Sequence, residues 1–216
     1  MDEEYKLEYK YYHWGPFVMQ TKITEELRLW MLDEARKQQE NFNKELAGHL
    51  KYQFKYTDEV AGQFYEKTQP IFKMYRQGHV DFHGSKGKEV RYVGRSLWVN
   101  FMKPGDWNPP HIHGGDFSFV VYLDVPDELR KEFKEFEGTS AGPGSITFDY
   151  GTESRPKWAT NAHHHYPESG DMIIFPALTA HSVAPFKTDC TRISVSGNLT
   201  YELNDNNNLD RIDDYF

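Results

Sequence analysis

Apolar residues recur at two different periods along this chain, one in each half. Ile23, Leu27, Trp30, Met31 and Ala35 fall at helical spacing with charges between them. Thr24 just ahead of Glu25 and Glu26 offers a hydroxyl cap and acids for the first turn. A second helix is predicted after Thr57, opening on Asp58 and Glu59 and presenting Val60, Phe64, Thr68, Ile71, Phe72 and Tyr75 on one face. Pro70 inside that run predicts a kink or a break, and Gly78 a stop. Both helices read as packing elements. From about Arg91 short β-rich runs alternate with turn residues: Arg91–Met102, Phe117–Val125, Ser145–Asp149, Asp171–Phe175 and Arg192–Leu199, with one helical insert at Asp127–Phe136. Helices first and strands afterwards predict a mostly β sandwich or barrel backed by helices. The expected organisation is one domain: a helical support region over 1–90, a β core over 91–203 and an acidic, poorly ordered tail over 204–216.

Composition supports a folded domain of enzyme size. Only 38% of the 216 residues are apolar, but 15 Phe, 14 Tyr and 5 Trp can bury a large area between them. The formal net charge of −8 argues against a protein whose main task is to grip nucleic-acid phosphates. A single cysteine, Cys190, rules out an intrachain disulfide framework and fits a reducing compartment. The first ten residues are too charged for a signal peptide, and no run approaches the ~18 apolar residues that span a bilayer. These features lead to the expectation of a cytoplasmic protein without a membrane partner. They identify neither a substrate, small molecule or protein, nor an oligomeric state.

The candidate chemistry lies in the β-rich half. Pro109-Pro110-His111-Ile112-His113-Gly114-Gly115-Asp116 leads into the strand that begins at Phe117. Residues two apart on extended chain face the same way, so His111 and His113 can converge on one point. Gly114-Gly115 could fold the chain back and bring the Asp116 carboxylate near. Far along the chain stand His181 and then Arg192-Ile193-Ser194. Two histidines near a carboxylate and a distant third are the ingredients of a mononuclear iron site with open positions. A guanidinium on a following strand can bind the far end of a dicarboxylate bidentately, and the hydroxyl of Ser194 shares its face.

These two segments together resemble the 2-oxoglutarate/Fe(II)-dependent oxygenases. Met102-Lys103-Pro104-Gly105 through His111-Ile112-His113 is similar to their entrance motif. Gly170-Asp171…Phe175-Pro176…His181-Ser182-Val183…Arg192-Ile193-Ser194 is similar to their second half. The likeness covers about the last 120 residues and is greatest to members with a His-x-His…Ser motif, including phage-encoded ones. It implies a double-stranded β-helix of the jelly-roll or cupin kind, Fe(II) as cofactor, and 2-oxoglutarate and O2 as cosubstrates. Hydroxylation with release of succinate and CO2 is the usual outcome. By position, His111 and His181 match the family's histidine ligands and His113 stands where an acid is usual. Iron is then held either by three histidines or by two with Asp116. Strand parity favours His113; the charge of Fe(II) favours Asp116. Met102 replaces a tyrosine that contacts 2-oxoglutarate in a related subfamily, leaving Asn100 or Tyr122 to supply that contact.

Two other readings stay open: a cupin-like three-histidine metalloenzyme without 2-oxoglutarate, and a non-catalytic metal-stabilised module. His163-His164-His165 cannot all reach one ion from a strand, and the run reads as a loop at the pocket mouth. The inserts Asp127–Gly144 and Thr152–Glu168, with Phe133, Phe136, Trp158 and Tyr166, are expected to frame the pocket.

Overall fold

The computed structural model describes residues 15–83, 90–151 and 162–203. Trp158 and the expected tail at 204–216 lie outside them. In chain order the elements are β1 (Met19–Lys22), α1 (Glu25–Ala35), β2 (Glu40–Asn41), β3 (Tyr52–Lys55), α2 (Asp58–His83), β4 (Val90–Met102), β5 (Asn108–His111), β6 (Phe117–Asp124), α3 (Asp127–Lys134), β7 (Ile146–Asp149), β8 (Ala162–His165), β9 (Asp171–Pro176), β10 (Ala180–Val183) and β11 (Arg192–Leu203). They form a seven-stranded sheet, β1-β9-β6-β11-β4-β3-β2, and a four-stranded sheet, β5-β10-β7-β8. All the strand pairs are antiparallel. This is the expected double-stranded β-helix, with α1 and α2 on the outside of the larger sheet and Leu129 of α3 in the layer between the sheets.

Strand alternation sorts the core into two layers. On β6, Phe117, Phe119, Val121 and Leu123 face the helices, and Val120 and Tyr122 face the smaller sheet. The outer layer is aromatic: Phe64 of α2 stacks on Phe119 at 5.4 Å, and Tyr75 meets Phe117 at 5.5 Å. The inner layer joins Met102, Tyr122, Ile173 and Phe175 of the larger sheet to Ile146, Phe148 and Val183 of the smaller one. A strand buried on both faces loses the apolar–polar alternation, which is why Phe117–Asp124 reads as an almost continuous apolar run.

α1 begins at Thr24 as expected, with the Leu27 N–H donating to the Thr24 hydroxyl oxygen at 3.3 Å. α2 departs from expectation. It runs without a break through Pro70 and continues past Gly78 to His83. Its buried residues Phe64, Thr68, Phe72 and Tyr75 lie on both sides of Pro70, and their burial outweighs the ~3 kcal/mol cost of an interior proline. Gly78 makes room for a ring instead of ending the helix; a Cβ there would stand 2.9 Å from Phe17. The region expected to be helical support also supplies sheet: β1 extends one edge of the larger sheet, and β2 and β3 the other.

Candidate metal centre

The smaller sheet sets the site. β5 and β10 pair antiparallel with His111 directly opposite His181, and their ring centroids lie 4.3 Å apart. β5 ends at His111, but the chain stays pinned because the His113 N–H donates to the Ala177 carbonyl at 2.9 Å. His113 therefore turns onto the same point: its Nε2 lies 3.2 Å from Nε2 of His181. One nitrogen from each of His111, His113 and His181 falls within 4.8 Å of the others.

Two of the rings are oriented by carbonyls. His111 Nδ1 lies 2.8 Å from the Pro109 carbonyl oxygen, and His181 Nδ1 lies 2.9 Å from that of Thr179. Each Nδ1–H donates there, so each Nε2 lone pair faces the cluster, the arrangement typical of metal-binding histidines. Burial, then the neighbouring His181 and His111, push the His113 pKa down to about 3. Burial, then His111, push that of His181 down to about 4. Both rings are neutral at pH 7. Two neutral Nε2 atoms this close need a proton or a cation between them. Phe175 at 4.7 Å and Phe148 at 5.8 Å from the His181 ring, and Trp98 at 5.8 Å from that of His113, wall the cluster with aromatic surface. The donor set fits Fe(II), which takes imidazole readily.

Asp116 is not among the converging groups. Gly114-Gly115 does fold the chain back, but towards β11: the Asp116 N–H donates to the Leu199 carbonyl, and its Oδ2 accepts from the Tyr201 N–H, both at 2.9 Å. The carboxylate ties a turn to the sheet, an ordinary task for Asp. His163–His165 form a strand, β8, and not a loop, because they pair with β7. His164 Nδ1 lies 2.9 Å from the Thr147 hydroxyl, and His165 Nε2 lies 3.1 Å from Oδ2 of the buried Asp171.

The cavity above the histidines is about 180 Å³, and Arg192, Ser194, Asn100 and Tyr122 line it with them. All four descend from register: Ser194 on β11 stands opposite both Asn100 on β4 and Tyr122 on β6, and Arg192 lies opposite Met102. Arg192 is 3% exposed. It donates to the Gly144 carbonyl at 2.6 Å and to Met102 Sδ at 2.9 Å, and sits 5.3 Å above the Tyr122 ring. Its Nε has no partner, and no carboxylate pairs with it among the described residues. Burial holds its pKa below the ordinary arginine value. Tyr122, pushed up to about 12 by burial against the opposing pull of Arg192, keeps its phenolic proton. A buried guanidinium without an anion fits the carboxylate of a small diacid. A larger cavity, about 1010 Å³, flanks Trp107, Phe136 and Phe186, but its wall carries no histidine. Gln53, Trp98 and the chain around Glu45–Leu50 also line the smaller cavity. Nothing marked them in the sequence except the alternation Tyr52-Gln53-Phe54-Lys55, too short to read as a strand.

The fold and the site together define a double-stranded β-helix protein with a candidate metal centre. Residues 96–198 match the family described as "Putative 2OG-Fe(II) oxygenase". That segment holds every residue named above from Asn100 to Ser194, so the likeness to 2-oxoglutarate/Fe(II) oxygenases spans the three histidines and Arg192. Solved structures share the fold at low identity. A prolyl-4-hydroxylase from Pseudomonas putida is 14% identical, with 84% of this chain and 91% of that one covered at a TM-score of 0.53. The α-ketoglutarate-dependent epimerase SnoN of nogalamycin biosynthesis is 18% identical (86% and 78% covered, TM-score 0.54). HygX from Streptomyces hygroscopicus, with nickel, 2-oxoglutarate and hygromycin B bound, is 9% identical (86% and 83% covered, TM-score 0.53). No curated protein matches the chain in sequence.

Proposed function

We propose that the protein hydroxylates a C–H group of its substrate, with His111, His113 and His181 holding Fe(II) and Arg192 and Ser194 holding 2-oxoglutarate. The balance is one substrate C–H, one O2 and one 2-oxoglutarate consumed, giving one C–OH, one succinate and one CO2. The observation that carries this reading is the pairing of two incomplete sites in one small cavity: three imidazole nitrogens within 4.8 Å of one another, and a buried guanidinium that meets no carboxylate among the described residues.

Fe(II), when bound, supplies the oxidation of substrate by O2 coupled to decarboxylation of 2-oxoglutarate. The protein's own residues bind, orient and exclude water. The carbonyls of Pro109 and Thr179 fix the two imidazoles that they bond. Arg192 receives the far carboxylate, and Ser194, on the same strand face, adds a hydroxyl donor. Asn100, whose Nδ2 lies 3.5 Å from the Ser194 oxygen and 3.3 Å from that of Ser196, and Tyr122, under the guanidinium, complete the floor. Trp98, Phe148 and Phe175 keep water from the histidines, which strengthens every charge interaction inside.

Formation of succinate by the iron-loaded protein, with 2-oxoglutarate and O2, tests this directly. Slow uncoupled turnover above a protein-free control is expected even without substrate. The purely histidine donor set equally suits a metalloenzyme that does not use 2-oxoglutarate. Metal binding without any 2-oxoglutarate affinity would favour that second reading and leave Arg192 without a duty.

A further inference from the structure

The inner face of the larger sheet carries a polar row that outruns the needs of the cosubstrate. Register places Gln53 on β3 opposite Asn100 on β4, Asn100 opposite Ser194 on β11, and Ser194 opposite Tyr122 on β6. Arg192 stands at the β11 end of this row. Gln53, two strands away, lies on the order of 10 Å from it at ordinary strand spacing. Gln53 is 1% exposed and lies outside the family-matched segment 96–198. Its Nε2 donates to Asn100 Oδ1 at 2.8 Å, which fixes the plane of the carboxamide. Its Oε1 is buried without a partner among the described residues, and Gln53 lines the cavity that holds the histidines. A buried acceptor left unpaired destabilises a fold, so an orphan on a residue that lines a binding cavity calls for a ligand that satisfies it.

We propose that Gln53 is a specificity-determining residue whose carboxamide oxygen accepts a hydrogen bond from an N–H or O–H group of the substrate. The proposal rests on the oxygenase reading of the same cavity. Cosubstrate reaching from the histidines to Arg192 occupies the β11 side, so the β3 side falls to the substrate. That side is walled by Glu45, Leu46, Ala47, Gly48 and Leu50, a segment the family match does not include. The cavity, at 180 Å³, is smaller than the ~300–1,000 Å³ of pockets that engulf a whole small molecule. The substrate therefore inserts one small polar group and leaves its bulk outside, where Ile112, between two of the histidines, is 55% exposed. The substrate class is a larger molecule that presents a compact, uncharged hydrogen-bond donor, such as a carboxamide or a hydroxyl, beside the carbon to be oxidised.

The test uses the full chain loaded anaerobically with Mn(II) and saturating 2-oxoglutarate, with acetamide and acetone as probes. The two are nearly isosteric and differ in the N–H donors. The reading is the Mn(II)-induced relaxation of their methyl protons. Acetamide is expected to relax at least threefold faster than acetone in the wild type. The excess should vanish in Gln53→Leu and persist in Gln53→Glu, which keeps the acceptor. Equal relaxation of the two probes in the wild type overturns the proposal, and this comparison stands even if Gln53→Leu fails to fold. An acetamide excess that survives Gln53→Leu overturns it as well. Failure of the wild type to bind 2-oxoglutarate is a separate result: it removes the oxygenase reading, and the proposal with it.

Discussion

Replacing Arg192 by methionine should make the protein more stable and its cosubstrate site weaker at the same time. The side chain is 3% exposed, and its only hydrogen-bond acceptors among the described residues are the Gly144 carbonyl and the Met102 sulfur. An ion taken out of water without a counter-ion costs several kcal/mol even after relaxation. Methionine has similar length, fills the space above Tyr122 and removes that cost. Against it stands the Gly144 carbonyl, which loses a charged donor worth roughly 1.5–3 kcal/mol. The net expectation for Arg192→Met is a gain of about 1–3 kcal/mol, or a rise of roughly 2–12 °C in Tm for a domain of this size. 2-Oxoglutarate binding should move the other way. Losing one partner of a buried charge pair costs about 2–5 kcal/mol, at least about thirtyfold in Kd. Thermal unfolding of the Mn(II) form with and without 2-oxoglutarate reads both effects together, because a ligand that binds only the folded state raises Tm. A variant that is less stable than wild type yet binds 2-oxoglutarate equally well would refute the reasoning and make Arg192 a structural residue.

Three further outcomes are expected. His113→Ala should weaken Mn(II) binding by at least about tenfold, while Asp116→Ala leaves it within about twofold and lowers stability by ~1–3 kcal/mol through loss of the carboxylate's bond from the Tyr201 N–H. Metal titration followed by electron paramagnetic resonance separates the two, and the reverse pattern would hand the third ligand to Asp116. Gly115 has φ +99°, and a Cβ there would stand 2.8 Å from the Leu199 carbonyl oxygen. Gly115→Ala should cost ~1–3 kcal/mol, seen as a lower urea midpoint. Glu132 is pulled two ways: burial raises its pKa, but bonds from the Thr188 hydroxyl and the Thr188 and Lys187 N–H groups prevail and hold it below 4.5. A depressed carboxylate stabilises the fold above its ordinary pKa, and that contribution fades as the pH falls through the lower folded value. The stability gap between wild type and Glu132→Gln should therefore be present at pH 7 and close as the pH falls through the lowered folded pKa; a gap independent of pH would refute it.

How much of this was legible in the sequence depended on the length of each signal. The long apolar runs at Arg91–Met102, Phe117–Val125 and Arg192–Leu199 correspond to β4, β6 and β11, the central strands of the larger sheet. Strand parity was enough to set His111 and His113 on one side, although His113 itself lies past the end of β5 and owes its position to the Ala177 carbonyl. Asp116 was ambiguous because a Gly-Gly pair permits a reversal without fixing its direction; the bond to Leu199 fixes it, and that partner is more than eighty residues away. The strands β1, β2, β3, β5 and β10 have four residues or fewer, too few for a period to emerge. Gln53 escaped for that reason. Pro70 misled because its local penalty is visible in sequence and the buried aromatic face that overrides it is not.

The two incomplete sites also explain one another electrostatically. Three imidazoles bring no negative charge to a divalent metal, and one guanidinium adds positive charge to the same small cavity. Metal alone would thus leave about three positive charges in a largely buried space, an expensive state. 2-Oxoglutarate brings two negative charges, one carboxylate for each pole, and lowers that excess to about one. On the proposed reading the cavity takes metal and diacid together, and each should bind more tightly in the presence of the other by the same factor, as linkage requires. A carboxylate at position 113 would have supplied part of that compensation permanently. With histidine there, the proposed reading takes that compensation from the cosubstrate.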